Sequence, residues 1–285
     1  MRYFTLTAIA FFFGCPLLAQ EGQGQLEEGE YSDTFSRAGG DLVSQIPGED
    51  IMSMPAPRLP DGAPDFSGLW LGSGPHRNVR FGLQSGEEVV LLPWAKELMD
   101  SRMSRDDPEA HCLPTGIPRI APFPWRIVQA PLSGKATHLY FLFEGNIHSY
   151  RQIFMDGREH PEDPDPTWYG HSIGHWEGDT LVIDTVGFTG VDSFWFDFEG
   201  HPHTTQLQTI ERYTRTNFGT LEKIITIIDP GAYAKPFTIQ FDATLRPGWD
   251  LMEYVCNENN QDIPHIVTSP SDTDQCLGQP FADCL

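Results

Sequence analysis

Five histidines fall within 44 positions of the chain, and histidine is the side chain best suited to exchange protons near neutral pH. Three tryptophans share this stretch. One interpretation is a ligand pocket with an aromatic wall and one or two histidines acting as general acid and base. The alternative is a set of solvated loop histidines beside core tryptophans. The candidate catalytic histidines are His160 and His203; the candidate binding residues are His171, His175, Trp168 and Trp176; His201 and Trp195 complete the set.

The turn-rich segment at positions 156–161 follows a predicted strand. Asp156 and Gly157 suit a turn, but a turn does not by itself require Arg158 or His160. A guanidinium and an imidazole two positions apart on a loop suit the binding of an oxyanion and proton transfer to it. We therefore expect Asp156, Arg158 and His160 to be catalytic. We also expect His160 and His203 to face one aromatic-lined cavity with Arg158 within reach.

His171 and His175 lie four positions apart, a spacing that on a helix would place both on one face, as in helical zinc sites. The intervening residues are typical of a strand, where positions four apart are separated by about 13 Å. The segment His201-Pro202-His203 could supply one or two ligands but also fits a loop. The sequence therefore predicts no metal site, and a metal-dependent hydrolase is only the third functional hypothesis.

Glu211 and Arg212 alternate with apolar neighbours on a predicted strand. Such residues often form a cross-strand ion pair on the solvent face. The functional alternative turns one of them inward to orient His160 or His203, which makes Glu211 a candidate catalytic residue. No phosphate-binding loop or dinucleotide fingerprint occurs, so we predict no cofactor. The adjacent His171 and Ser172 are not sufficient to indicate a serine hydrolase.

Short segments rich in β-branched and aromatic residues, separated by Gly, Pro, Asp and Asn, predict an all-β domain. One segment, Leu92–Met103, has helical spacing with a proline in its first turn. The absence of helices between the strands predicts an antiparallel meander with tight turns at 176–180 and 217–220. Closure into a barrel would remove exposed edges, and a two-sheet sandwich is the alternative. The predicted strands are Arg126–Ala130, His138–Glu144, His148–Met155, His171–Trp176, Thr180–Val186, Gln206–Thr214, Leu221–Ile228, Phe237–Leu245 and Leu251–Cys256.

Residues 1–19 have the layout of a secretory signal peptide, with Arg2 before a short apolar run and cleavage expected after Ala19. The alternative is a lipoprotein site at Cys15. Residues 20–63 predict an extended or mobile lead, and 64–285 a single β-rich domain with a turn-rich tail. Removal of the signal takes away Arg2 and no acidic residue, so the net charge of −22 becomes −23. This charge disfavours nucleic acid as a partner. We expect a periplasmic or secreted protein without stable membrane insertion; the oligomeric state is left open.

Four cysteines remain after processing, and an even number in an exported protein favours disulfides. Four cysteines permit three pairings. Cys276 and Cys284 lie in a short, turn-rich tail where a local loop closes easily. This leaves Cys112 to pair with Cys256.

Several segments resemble a group of exported proteins from environmental bacteria that share a Trp-Glu-Gly-Asp-Thr-Leu hairpin. The resemblance covers roughly Pro64 to Asn260 and names no reaction; within it, Arg119 is a further candidate binding residue. The Gly-Leu-Trp piece at 68–70 is also similar to the first strand of lipocalin-like barrels. The matching segments are Asp65–Trp70, Cys112–Arg119, Asp156–Pro161, Gly170–Leu181, Pro202–Thr204, Glu211–Arg212 and Glu253–Glu258.

The combination of histidines, an arginine and tryptophans favours an enzyme that performs acid/base chemistry on a small organic molecule, as an isomerase, lyase or hydratase. The alternative is a non-catalytic module that binds an apolar or glycan ligand by aromatic stacking.

Overall fold

Nine strands form one closed barrel in the order of the chain, as shown by a computed structural model. It describes residues 52–74, 76–120, 122–132, 135–145, 148–191 and 193–258, all within the unit Ser44–Leu285. The closed barrel with one short helix confirms the predicted fold class. The strands are β1 (Gly68–Gly72), β2 (Trp125–Leu132), β3 (Lys135–Phe143), β4 (Ser149–Phe154), β5 (His171–Glu177), β6 (Thr180–Val186), β7 (Gln208–Arg215), β8 (Thr220–Ile228) and β9 (Phe237–Leu245), and the helix is α1 (Pro93–Ser101).

One pair of neighbouring strands is parallel, in contrast to the predicted antiparallel meander. Ile153 of β4 aligns with Ser172 of β5 in parallel, and all other neighbours, including β1 and β9, are antiparallel. An odd number of strictly alternating strands cannot close with an antiparallel seam, so nine strands require one parallel pair. The long connection at 155–170 supplies the crossover that parallel neighbours need.

Alternation of buried and partly exposed residues along the strands defines the interior of the barrel. In β7 and β8 every second residue is buried, starting from Thr209 and Leu221. This is the two-residue period of a sheet with one covered face. Most inward positions are apolar, but the same register also turns Glu211 and Lys223 inward. The barrel therefore contains charged groups that its strand pattern forces into the core.

One end of the barrel is closed by a segment that we call the plug, residues 112–120. Ile117 and Ile120 of the plug belong to the hydrophobic core. Cys112 forms a disulfide with Cys256, which confirms that predicted pairing. Gly116 has φ +63°, and a Cβ there would lie 2.2 Å from the ring of Phe194, so glycine is required for this close contact. The predicted Cys276–Cys284 bond lies outside the described residues.

The described part of the lead lies against the opposite end of the barrel. The N–H of Gly219 donates to the carbonyl of Met52 at 2.8 Å, and Arg58 forms an ion pair with Asp179 at 2.6 Å. Both partners lie in the predicted tight turns, which connect β7 to β8 and β5 to β6. Residues 52–58 therefore reach the rim of the barrel instead of remaining free of it.

Two further sequence predictions can be compared with the structure. Leu251–Cys256 was predicted as a strand, but it forms none of the nine barrel strands. The segment ends at Cys256, whose disulfide to Cys112 anchors it to the plug. Among the described residues, no helix has both the length and the apolar character needed to cross a membrane.

Candidate functional site

A buried ion pair spans the barrel interior between β4 and β7. Arg151 Nη2 donates to Glu211 Oε1 at 2.6 Å, and both side chains are almost completely buried. Arg151 also donates from Nε to Ser172 and from Nη2 to Thr185. The hydroxyl of Tyr213 donates to the other oxygen of Glu211 at 2.8 Å. The sheet therefore fixes the orientation of Arg151 with three acceptors and holds Glu211 between two donors.

Lys223 lies beside this ion pair, on the strand that pairs with β7. Its ammonium nitrogen is 4.6 Å from the ring centroid of Phe241, 4.8 Å from Trp125 and 5.2 Å from Tyr213. Burial lowers the pKa of Lys223 to about 7, opposed by the charge of Glu211 and assisted by that of Arg151. Lysine ordinarily titrates near 10.4, so a large fraction of Lys223 is a neutral amine near neutral pH.

A small cavity between the plug and the barrel interior is lined by Lys223 and Arg151. In its resting shape it has room for about one water molecule. Arg151 Nη1 and Trp125 Nε1 are buried and have no hydrogen-bond partner in the described part of the chain. Both residues line the cavity, which therefore combines two unsatisfied N–H donors with an amine. The remaining lining residues are Ile117, Pro118, Ile120, Phe141, Phe143 and Tyr213.

A second, open pocket of about 950 Å³ lies beside the part of β9 that extends beyond its pairing with β1. Past the end of β1, Ser73 still donates to Asp242, and the next pairing is the bridge between Leu83 and Ile239. The chain between them bends away from the edge of β9. Phe241 lines this pocket and also contacts the ammonium of Lys223, so its ring lies between the open pocket and the buried lysine.

The plug is held over the cavity by Arg119, a predicted binding residue. Arg119 is buried and forms ion pairs with Asp107 and Glu109, which belong to the segment preceding the plug. Its guanidinium also lies 4.5 Å from the ring centroid of Phe198. The Nη atoms of Arg119 are therefore engaged by carboxylates of the protein, which positions the plug, while its Nε is buried without a partner among the described residues.

His160, a predicted catalytic residue, lies on the outside of β5 and β6. Its Nδ1 is 2.9 Å from Nδ1 of His171, and its Nε2 is 3.7 Å from Asp184. Burial lowers the pKa of His171, and the charges of His160 and Arg158 lower it further. Arg158 forms an ion pair with Asp156, and the hydrogen bonds that it donates lower the pKa of Asp156 to about 2.

His203 lies in a different environment, inside the segment that covers the plug end. Its ring stacks on Phe194 at 4.0 Å, and its Nε2 is 3.1 Å from the hydroxyl of Ser193. Burial lowers its pKa to about 4. His160 and His203 share no contact and no lining position of either cavity in the described residues. The predicted common pocket for this pair is not the arrangement that the structure shows.

Glu211 does turn inward, but it orients Arg151 and Tyr213 instead of a histidine. Its neighbour Arg212 faces outward and pairs with Glu177. The two residues are therefore divided between the two faces of β7, because successive side chains of a strand alternate.

The remaining predicted binding residues do not converge on one space. His175 is exposed beside Glu177, Trp176 packs edge-on against Phe66, and Trp168 packs against the core. Residues 170–174 read Gly-His-Ser-Ile-Gly, the pattern of a serine-hydrolase elbow, but Ser172 is buried near the start of β5 beside Arg151. In a hydrolase elbow the serine lies in a sharp turn between a strand and a helix. Ser172 instead lies within a strand, and β5 leads into another strand, β6. No group of three or more His, Cys, Asp or Glu side chains in the described ranges is arranged to hold a metal ion.

The sequence analysis missed Lys223, Arg151 and Tyr213. A signal was available in β8, where Leu221, Lys223 and Ile225 share one face by the two-residue period. A lysine in register with two core residues is a candidate buried amine.

Comparison with models of protein families, with curated proteins and with solved structures found no match.

Proposed function

We propose that the chain is a periplasmic or secreted small-barrel enzyme that performs cofactor-independent proton transfer on a small carbonyl-bearing molecule. Lys223 is the general base. The observation that carries the proposal is the buried, aromatic-walled amine of Lys223 in a cavity with unsatisfied N–H donors.

A general base works best when its pKa is close to the working pH. Burial brings the pKa of Lys223 to about 7. Its neutral amine accepts a proton from the carbon next to a carbonyl group. Return of that proton to another carbon is an isomerisation, and loss of a leaving group instead is an elimination.

Removal of the proton places negative charge on the carbonyl oxygen, which requires hydrogen-bond donors. Arg151 and Trp125 line the cavity, and their Nη1 and Nε1 have no partner among the described residues. Donors that are already oriented where charge develops stabilise the transition state without reorganisation. The bonds from Arg151 to Ser172 and Glu211 hold the guanidinium in place for this role.

Substrate entry requires movement, because the resting cavity holds about one water molecule. Two elements separate it from the surroundings: the plug, through Ile117 and Ile120, and the ring of Phe241, which borders the open pocket. Displacement of either element gives a small substrate access to Lys223.

The location outside the cytoplasm is supported by the disulfide between Cys112 and Cys256, a bond that persists in oxidising compartments. The signal-like residues 1–19 and the negative net charge add to this proposal. A small molecule is the expected partner, because the acidic chain is a poor ligand for nucleic acid.

Hydrogen–deuterium exchange tests this function without knowledge of the natural substrate. A panel of small aldehydes, ketones and 2-oxo acids is incubated with the protein in D2O, and exchange next to the carbonyl is followed by proton NMR. We expect Lys223→Met to abolish the exchange that the wild type catalyses. Lys235→Met, which changes an exposed lysine paired with Glu88, is the matched control and should retain it. Equal exchange rates with wild type and Lys223→Met across the panel would refute the proposal.

A non-catalytic binding module is the second candidate, and the open pocket favours it. Phe81 lines this pocket with 78% of its surface exposed, an unusual state for a large apolar side chain. Arg77 lines it too and has no ion-pair partner in the described residues. An aromatic anion such as benzoate would match this pair. Saturable benzoate binding that Phe81→Ser abolishes, without any catalysed exchange, would favour this candidate.

A further inference from the structure

We propose that Lys223 forms a covalent imine with the carbonyl carbon of a small 2-oxo acid, whose carboxylate binds the free N–H groups of Arg151 and Trp125. This inference rests on the proposed function of the same site and names its substrate class and its intermediate. For a 2-oxo acid the two donors hold the carboxylate instead of the carbonyl oxygen, because that oxygen leaves as water when the imine forms.

Lys223 has the surroundings of a nucleophilic amine. Its nitrogen has no hydrogen-bond acceptor among the described residues and contacts three aromatic rings. Rings solvate an ammonium ion less well than water does, which favours the neutral, nucleophilic form. Glu211, the nearest carboxylate on the neighbouring strand, is already engaged by Arg151 and Tyr213. The lysine is therefore held inside the barrel without being consumed in an ion pair.

The rest of the cavity is complementary to an acid. Arg151 uses Nε and Nη2 for protein acceptors, while its Nη1 and Nε1 of Trp125 have no partner among the described residues, and both residues line the cavity. Two buried donors without partners are costly unless a ligand or a water satisfies them. The arginine and Glu211 neutralise each other, so a bound carboxylate balances the positive charge of the iminium that forms at Lys223. A 2-oxo acid presents its carboxylate and its carbonyl on adjacent carbons, so it is the smallest acid that could reach both the donors and Lys223 once the plug or Phe241 moves.

The covalent step is balanced without any co-reactant. The neutral amine of Lys223 attacks the carbonyl carbon, and the carbon–oxygen double bond becomes a carbon–oxygen single bond. The two amine protons and the carbonyl oxygen then leave as water, and a carbon–nitrogen double bond forms. Protonation of the imine nitrogen makes the adjacent carbon acidic, and its proton leaves to solvent while the iminium takes up the electron pair. In this covalent route the nitrogen of Lys223 withdraws electrons, whereas in the non-covalent route of the proposed function the same nitrogen is the base.

Reductive trapping tests the inference directly. The full chain is incubated at pH 7 with glyoxylate and cyanoborohydride, and modified peptides are identified by mass spectrometry. Reduction of the imine leaves a carboxymethyl group on the lysine that reacted. The chain contains four lysines, so assignment is direct. We expect Lys223 to be modified faster than Lys96 and Lys235, which are exposed and paired with carboxylates.

Selectivity for an acid is measured by comparing glyoxylate with acetaldehyde. Trp125→Phe keeps an aromatic ring but removes one N–H donor. We expect it to lower the preference of Lys223 for glyoxylate by about tenfold to a hundredfold, since a hydrogen bond to a charged group is worth roughly 1.5–3 kcal/mol. An unchanged preference would overturn the assignment of the carboxylate site.

Phe241→Ala is the control for access of the aldehyde to Lys223, because it removes the ring that separates the cavity from the open pocket. If neither the wild type nor this variant is modified at Lys223, the imine is refuted. In that case, exchange that still depends on Lys223 would leave it as a general base and preserve the proposed function. An adduct at Lys223 without catalysed exchange would support the imine and refute the proton-transfer function.

Discussion

Replacement of Glu211 by Gln is expected to destabilise the barrel strongly, because it leaves Arg151 as an unpaired charge in the core. The carboxylate accepts from Arg151 and from Tyr213, and no surface of Glu211 is exposed to solvent. The amide of Gln has nearly the same shape but only one acceptor oxygen. Its NH2 group must therefore face one of these two donors.

The expected loss is about 3–5 kcal/mol, the usual cost of removing one partner of a buried ion pair. For a domain of this size, each kcal/mol corresponds to roughly 2–4 °C, so the melting temperature should fall by about 10 °C. Replacing both partners, as in Arg151→Met with Glu211→Met, removes the uncompensated charge. We expect the double variant to lose about 1–3 kcal/mol less than the sum of the two single losses.

Urea denaturation at pH 7, followed by tryptophan fluorescence, measures these differences. Glu177→Gln is the matched control, because Glu177 of β5 pairs with Arg212, the neighbour of Glu211 on the outer face of β7. An exposed ion pair contributes about 0–1 kcal/mol, so this variant should be nearly as stable as the wild type. A loss below 1 kcal/mol for Glu211→Gln, or strict additivity in the double variant, would contradict the buried-charge argument.

Four further predictions concern pH and the disulfides. The unfolded chain holds the proton of Lys223 up to pH 10.5, whereas the folded protein releases it at about 7, so stability should rise between these values. Lys223→Met should remove a rise of about 1.4 kcal/mol per pH unit, measured by urea denaturation from pH 7.5 to 9.5, and an unchanged slope would count against a buried neutral amine. Folding likewise lowers the pKa of His203 from 6.5 to about 4, so stability should be lost as the pH falls through this window. Thermal melts of His203→Phe should show a smaller loss of stability between these pH values than the wild type. A larger loss in the variant would contradict the burial of a neutral imidazole. Replacing Cys112 and Cys256 by Ala should cost on the order of 4 kcal/mol, because their bond closes a loop with a sequence separation of 144 residues. Peptide mapping without reductant should also find Cys276 joined to Cys284; free thiols at these positions would disprove that pairing.

Local patterns in the sequence predicted much of the barrel. Eight of the nine predicted segments overlap β2 to β9, because β-branched and aromatic residues between turn formers report strand structure locally. The parallel pair of β4 and β5 could not be read in this way. It depends on where the connection at 155–170 returns to the sheet, which is a property of the closed barrel.

The candidate site also divides into features that the sequence predicts and features that depend on the tertiary structure. The sequence by itself marked the histidines, Arg158 and Glu211 by residue type, and it favoured the bond between Cys112 and Cys256 because few pairings were open. Only the tertiary structure decided that Lys223 and Arg151 share a cavity, since they come from different strands and meet through closure of the barrel. The lowered pKa of Lys223 arises from the removal of water by residues distant in sequence, such as Ile117 of the plug. The alternation along β8 indicates that Lys223 turns inward, but it does not show which residues surround the amine.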